Sequence, residues 1–268
     1  ITPKTVSQNP DILEAGDAIC CFTFKPLPSD EKWSYEFLVI TYSGLLKSYN
    51  ISGSHGFKDN YEFSFGNFYR KGVNAFAYDK VHNLYIVAGN SIAQSHLSPA
   101  ANHGLTSWRP LNDYPYYKLS FNFEETTTAS TLSLWNLIPT FRAPPPPVIC
   151  RISVSPSCNN LVCLHTDGSI SLWDLPNLKL RKKWSLSEQP GFNAQNPLGS
   201  KKLKKFPAGV SEFHPIDIGW WSDHAIIIAR YSGAVSVCSM TKLKNLLGAS
   251  PEFLYGQPQI SEFFMGKG

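Results

Sequence analysis

Charge of either sign is scarce in this sequence: 16% of its 268 residues are Asp, Glu, Lys or Arg, against roughly 25% in ordinary soluble domains. Long hydrophobic runs are missing as well. The longest strongly apolar stretches, such as residues 225–229, fall far short of the ~20 residues that cross a bilayer as a helix, which excludes an integral helical span. The six cysteines contain no CxxC pair and offer no disulfide-rich framework. No GxGxxG or GxxxxGK[ST] array is present, because Gly44, Gly89, Gly168 and Gly233 stand singly, and this removes the common phosphate-cradling loops. The sequence also has no GxSxG elbow and no HExxH pair, and its seven histidines are scattered without metal-ligand spacing. These absences argue against catalysis, a metal centre or a bound cofactor.

What remains is a chain rich in aromatics (13%), with 18 glycines and 20 prolines, enough for many turns and too few for a low-complexity polymer. Its length allows a real core, in one large domain or two ordinary ones. Ile1 in first position points to a chain that starts mid-protein or after processing. Cys20, Cys150, Cys158, Cys163 and Cys238 lie in or beside apolar strand-like runs, where a thiol serves as a small buried hydrophobe. The expectation is reduced cysteines in a cytosolic compartment, with the Asn50-Ile51-Ser52 triplet as a weak contrary sign.

An internal repeat organises the rest. Residues 152–174 read ISVSPSCNNLVCLHTDGSISLWD: an alternating run, a Ser-Pro turn, an apolar run, the hairpin signal Asp167-Gly168, and an alternating run closed by Trp173-Asp174. Residues 218–238 (IGWWSDHAIIIARYSGAVSVC) and 36–50 (EFLVITYSGLLKSYN) repeat this grammar, and runs at 73–78, 84–88, 105–111 and 116–121 supply another set. Short strands that bury their faces only by stacking predict an all-β, WD-type β-propeller, with about four recognisable blades of a larger ring. A β-sandwich is also rich in short strands, but the Trp-Asp ending and the regular recurrence favour the propeller. The chain is read as a single partial propeller over 1–268 with two interruptions. Residues 126–147, ending in four prolines at 144–147, form a stiff inter-blade connector. Residues 180–213 form a basic surface loop. Residues 241–247 are read as a short helix capped by Thr241 and ended by Gly248.

Function has to come from surfaces on this reading. Between Lys179 and Lys205 there are eight basic residues and one acid, a local charge of +7, although the whole chain carries only +4. Lys201, Lys202, Lys204 and Lys205 are therefore a candidate patch for anionic lipid, RNA or an acidic protein surface. Trp220 and Trp221 are adjacent, so in a strand they point to opposite faces. One belongs in the core, and Trp221 is taken as the candidate contact residue. Tyr114-Pro115-Tyr116-Tyr117 beside Trp108 is a second aromatic cluster. His165 is expected to bond backbone near the Asp167-Gly168 turn. Asp167, Asp174, Asp217 and Asp223 are expected to cap turns.

Several strings resemble a known family. Glu188-Gln189-Pro190-Gly191-Phe192, the segment PIDIGWWSD at 215–223, the segment TKLKNLLG at 241–248, and Gly104-Leu105-Thr106-Ser107-Trp108-Arg109 together are similar to the N-terminal domain of the neuroblastoma-amplified sequence protein family. The resemblance implies a WD-type propeller heading a larger protein with a helical solenoid. It also implies a cytosol-facing peripheral subunit of the endoplasmic reticulum tethering complex that acts in Golgi-to-ER retrograde transport and associates with ER SNAREs. A further implied role, in nonsense-mediated mRNA decay at the ER, is the RNA-associated alternative.

Overall fold

A computed structural model of the chain describes residues 17–28, 32–90, 99–120, 147–190, 213–248 and 252–253. The connector at 126–146 and the lysines at 201, 202, 204 and 205 lie outside the described residues. The described chain is all-β, built as four four-stranded antiparallel sheets whose strand order follows chain order. Sheet 1 contains β1 (Ile19–Pro26), β2 (Tyr35–Thr41), β3 (Leu45–Ser52) and β4 (Gly56–Ser64). Sheet 2 contains β5 (Val73–Asp79), β6 (Leu84–Gly89), β7 (Leu105–Pro110) and β8 (Tyr117–Ser120), with a short helix α1 (Pro99–Asn102) before β7. Sheet 3 contains β9 (Ile149–Val154), β10 (Asn160–His165), β11 (Ile170–Asp174) and β12 (Lys179–Trp184). Sheet 4 contains β13 (Pro215–Ser222), β14 (Ala225–Arg230), β15 (Ala234–Ser239) and β16 (Glu252–Phe253).

The sheets share one register. Phe37 faces Tyr49 across β2 and β3, Tyr85 faces Trp108, Leu161 faces Trp173, and Ile226 faces Cys238. Because side chains alternate with period two, this common register gives every sheet two equivalent faces. The central strands are apolar on both: in β10, Leu161 and Cys163 join the layer toward sheet 2, while Val162 and Leu164 join the layer toward sheet 4. Three buried layers result, between sheets 1 and 2, 2 and 3, and 3 and 4. The first strands β1, β5, β9 and β13 pack against one another in series.

Sheets 1 and 2 also meet backbone to backbone. A Cβ placed on Gly72 would lie 2.2 Å from the Tyr42 carbonyl oxygen, and within sheet 2 one on Gly89 would lie 2.4 Å from the Gly72 carbonyl oxygen and one on Gly104 2.2 Å from that of Gly89. The Tyr42 carbonyl accepts from Val73 N across the junction at 2.9 Å, and the Gly72 carbonyl accepts from Asn90 N at 3.1 Å where the β5–β6 ladder ends.

Three expectations need correction. Residues 179–184 are the fourth strand of sheet 3, not the start of a loop, with Leu172 facing Lys182 and Ile170 facing Trp184. Five of its six residues are exposed, so an outermost strand carries no alternating apolar signal, and lysines on a free edge discourage pairing with other chains. Residues 241–247 form no helix: Leu243 has φ 53° and Asn245 bridges back to Cys238, so this segment lies along β15. Gly44, Gly168 and Gly233 do occupy second-to-third-strand turns at positive φ, as the repeat predicts. Gly89, by contrast, ends a strand, and Gly104 at φ 80° takes the turn position, because residues 90–104 lengthen that connection.

Candidate interaction surface

A convergence of His, Ser and an indole N–H lies inside the protein. The Trp173 indole Nε1 donates to Ser171 Oγ at 2.8 Å, and Ser171 Oγ lies 2.7 Å from His165 Nε2. His165 Nδ1 is 3.0 Å from the Pro147 carbonyl oxygen. A carbonyl only accepts, so Nδ1 carries the hydrogen. In the neutral ring Nε2 then accepts from the Ser171 hydroxyl. The protons therefore run one way, from Trp173 to Ser171 to His165 to Pro147.

Sheet 2 repeats this chain with different parts. The Trp108 indole donates to Thr106 Oγ1 at 2.8 Å, Thr106 bonds the Tyr69 hydroxyl, and Tyr69 donates to the Val87 carbonyl oxygen at 2.9 Å. Gly89 occupies the register position of His165. The Tyr69 ring fills the room its missing side chain leaves, 2.6 Å from where a Cβ would be. In sheet 4 the chain is broken. Cys238 stands where Trp173 would, Arg230 replaces the histidine, and both Ser236 Oγ and Arg230 Nε are buried without a partner. Arg230 turns its other nitrogens to the Phe213 and Pro190 carbonyls and the Gln189 Oε1, at 2.7, 3.1 and 3.1 Å. Burial lowers its guanidinium pKa to about 10 and pushes the Cys238 thiol up to about 12.

Burial also lowers the pKa of His165 below the usual imidazole value, partly opposed by the Pro147 carbonyl. The neutral form is thus favoured by folding, and the associated stability is complete above the unfolded-state pKa of roughly 6.5 and lost as pH falls through the window below it. The melting temperature is expected to drop between pH 7.5 and pH 5.5. The drop should be smaller in His165→Gln, which cannot take up the proton, and an equal drop in both proteins would rule out this assignment.

Of the four aspartates expected to cap turns, Asp167 and Asp223 bond at turns, whereas Asp174 pairs across to β12 and Asp217 bonds within β13. Asp167 accepts from the Ser169 amide and hydroxyl at 2.9 and 2.6 Å, and Asp223 accepts from the Ser157 amide at 2.8 Å, tying the first turn of sheet 4 to that of sheet 3. Asp174 pairs with Arg181 at 3.3 Å, and Asp217 accepts from the Ile218 amide. Among the described residues no three of His, Cys, Asp and Glu gather as a metal site, all six cysteines are free, and no helix is long and apolar enough to cross a membrane.

Surface features are more distinctive. Trp220 packs toward sheet 3 and donates its indole N–H to the Ser153 carbonyl at 2.8 Å. Trp221 sits where the ladder register shifts, points outward and is 69% exposed. In the tyrosine cluster, Tyr117 is buried, Tyr116 stacks on Tyr61 at 4.3 Å, and Tyr114 is 86% exposed. The described part of the basic tract, Lys179 to Lys183, lies along the outer edge of sheet 3. A cleft of about 290 Å³ opens there toward sheet 4, lined by Leu172, Arg181, Lys182, Met240 and Thr241. Lys182 donates to the Thr241 carbonyl and lies over the Trp184 ring. Of the candidate contact residues, Trp221 lies among the described residues, and the four lysines lie outside them. The aromatic face on sheet 1, where Phe22 and Phe24 project from β1 beside Phe37 and Tyr49, has no counterpart among the surfaces read from the sequence.

Comparison with known proteins places these features in context. Residues 2–198 match the family described as Neuroblastoma-amplified sequence, N terminal. The human protein named NBAS subunit of NRZ tethering complex is 36% identical over 255 residues, covering 91% of this chain and 11% of that protein. The chain thus spans about a tenth of the relative's length. Among solved structures, Raptor from Chaetomium thermophilum is similar with a TM-score of 0.52 at 11% identity, over 89% of this chain and 17% of that one, a likeness of fold.

Proposed function

We propose that this chain, which belongs to the neuroblastoma-amplified sequence N-terminal family, is a non-enzymatic protein-interaction module of a vesicle tethering subunit. The observation that carries this reading is the 36% identity, over nearly the whole chain, to a protein named as a tethering complex subunit. The four sheets act as blades of a WD-type propeller. That reading draws on the shared register, on the indole–hydroxyl chains of sheets 2 and 3, and on the Raptor-like fold. Rigid stacked blades present loops and rim residues, and specificity resides in the side chains those loops carry. The site of action is the cytosolic face of the endoplasmic reticulum, in retrograde transport from the Golgi, with tethering subunits and ER SNAREs as partners.

Trp221 is the proposed contact, since an exposed tryptophan on a rigid strand is a favoured hot-spot residue. Affinity purification of the full-length protein is expected to recover tethering subunits and SNAREs. Trp221→Ala should reduce that recovery at least several-fold while shifting stability by no more than about 0.5 kcal/mol, as for an ordinary surface change. Recovery of an unrelated complex, or of none, would remove the proposal, and unchanged recovery with Trp221→Ala would move the contact elsewhere.

The RNA-associated alternative rests on the basic tract. It predicts RNA binding that weakens steeply with salt, because each neutralised phosphate releases counterions. Reversing the charge of Lys201, Lys202, Lys204 and Lys205 should abolish that dependence, and a flat salt response in the unmodified protein disposes of the alternative.

A further inference from the structure

Every sheet except the first buries one particular face against the sheet before it. In sheet 2 that face carries Phe76, Tyr78, Tyr85 and Trp108, all packed in the layer shared with sheet 1. In sheet 3 the same register positions include Leu161 and Trp173, buried toward sheet 2. In sheet 4 they include Ile226 and Cys238, buried toward sheet 3.

The ladders of sheet 1 identify the equivalent residues without ambiguity. Phe22 faces Val39 as Phe76 faces Val87, Phe24 faces Phe37 as Tyr78 faces Tyr85, and Phe37 faces Tyr49 as Tyr85 faces Trp108. Yet Phe22 is 62% and Phe24 50% exposed. Phe24 stacks on Phe37 at 4.7 Å, Phe22 lies 5.9 Å and Tyr49 6.2 Å from the same ring, and Tyr49 stacks on Phe57 at 4.7 Å. The result is a continuous aromatic sheet face, larger than the scattered apolar residues of an ordinary surface.

The other side of each existing layer shows what fits such a face. Sheet 1 offers Leu38, Ile40 and Leu46 to sheet 2, and sheet 3 offers Val162, Leu164 and Ile170 to sheet 4. Sheet 1 adds Tyr61 and Phe63 of β4 to the face it offers, so in each of these layers an apolar near face is met by an apolar far face. We infer that the aromatic face of sheet 1 is an interface, covered by the apolar far face of a further four-stranded sheet of the same protein. The occupant is assigned to the same protein because the face continues a stacking series already made three times within the chain. In addition, about nine-tenths of the relative's length lies outside the region matched. This inference rests on the propeller reading and adds to it the seam at which the next blade joins.

A second copy is the competing occupant, since sheet 4 ends the series with Ile227, Ala229 and Val235 at the positions of Leu38, Ile40 and Leu46. Copies joined that way would stack head to tail. The test is hydroxyl-radical footprinting of the full-length protein, read by mass spectrometry, at concentrations where light scattering shows a monomer. Phe22 and Phe24 are expected to oxidise at least about tenfold more slowly than Tyr114, after correction for intrinsic reactivity. Rates comparable to that of Tyr114 would overturn the inference. So would protection that grows with protein concentration, which assigns the face to a second copy, or protection seen only when tethering subunits are added, which assigns it to a partner. Partner recovery in the affinity experiment is a separate readout, so loss of the tethering function would leave this result standing, and the reverse holds as well.

Discussion

Replacing Trp173 by alanine is expected to lower the free energy of unfolding by about 3–5 kcal/mol, the range for removing a fully buried aromatic ring. Trp173 is completely buried between sheets 2 and 3, where the His103 ring meets it edge-on at 5.4 Å. Against a total stability of about 5–15 kcal/mol for an ordinary domain, such a loss moves a urea midpoint by at least about a fifth of its value. Trp173→Phe separates the two contributions. It retains most of the volume and removes only the indole donor to Ser171, a loss of about 1 kcal/mol. A Trp173→Ala protein with an unchanged midpoint would mean that the layer between sheets 2 and 3 does not hold the fold together.

Gly72→Ala is the second large effect, expected to cost about 2–5 kcal/mol. Two terms contribute. Gly72 has φ +87°, and an L-residue in the left-handed region loses about 1–2 kcal/mol. The added methyl also meets the Tyr42 carbonyl oxygen at 2.2 Å. That atom is backbone and already accepts from Val73 N, so relief requires moving sheet 1 against sheet 2, an overpacking cost of about 1–3 kcal/mol. Gly56→Ala supplies the control, because Gly56 has φ +74° with nothing within 4 Å of its Cβ position. The difference between the two variants in urea denaturation measures the contact alone. Equal losses would show that the glycine junction tolerates a methyl group.

Much of this architecture is legible in the residues themselves, for reasons that also explain what is not. The strands of residues 152–174 stand out because central strands buried on both faces must be apolar throughout, and because Asp167-Gly168 marks the hairpin between β10 and β11. β12 is hidden because an outermost strand has no buried face to impose alternation, so KLRKKW reads as a charged loop. The segment after Met240 contains good helix formers, and local propensity is overridden there by the bridge from Asn245 to Cys238. The outward direction of Trp221 follows from its adjacency to Trp220, whereas which of the two faces out depends on the register shift beside Ser222. The hydrogen-bonded chain through Tyr69 has no local signal at all. It depends on a ring supplied from the β4–β5 connection filling space left by a glycine in β6, two positions that sequence spacing does not relate.

The strand order within each sheet bears on how the protein is made. Each sheet is a contiguous up-and-down piece of chain, so its pairings close over short separations, the kind that form quickly. Ribosomes deliver about 5–20 residues each second, slowly enough for one sheet to complete before the next emerges. The order of synthesis and the order of stacking coincide, and each new sheet arrives with one apolar face toward an apolar surface already formed. The interval of danger is the wait between sheets, when that apolar surface has no cover, and mutations that delay a sheet are expected to reveal themselves first as aggregation of nascent chains.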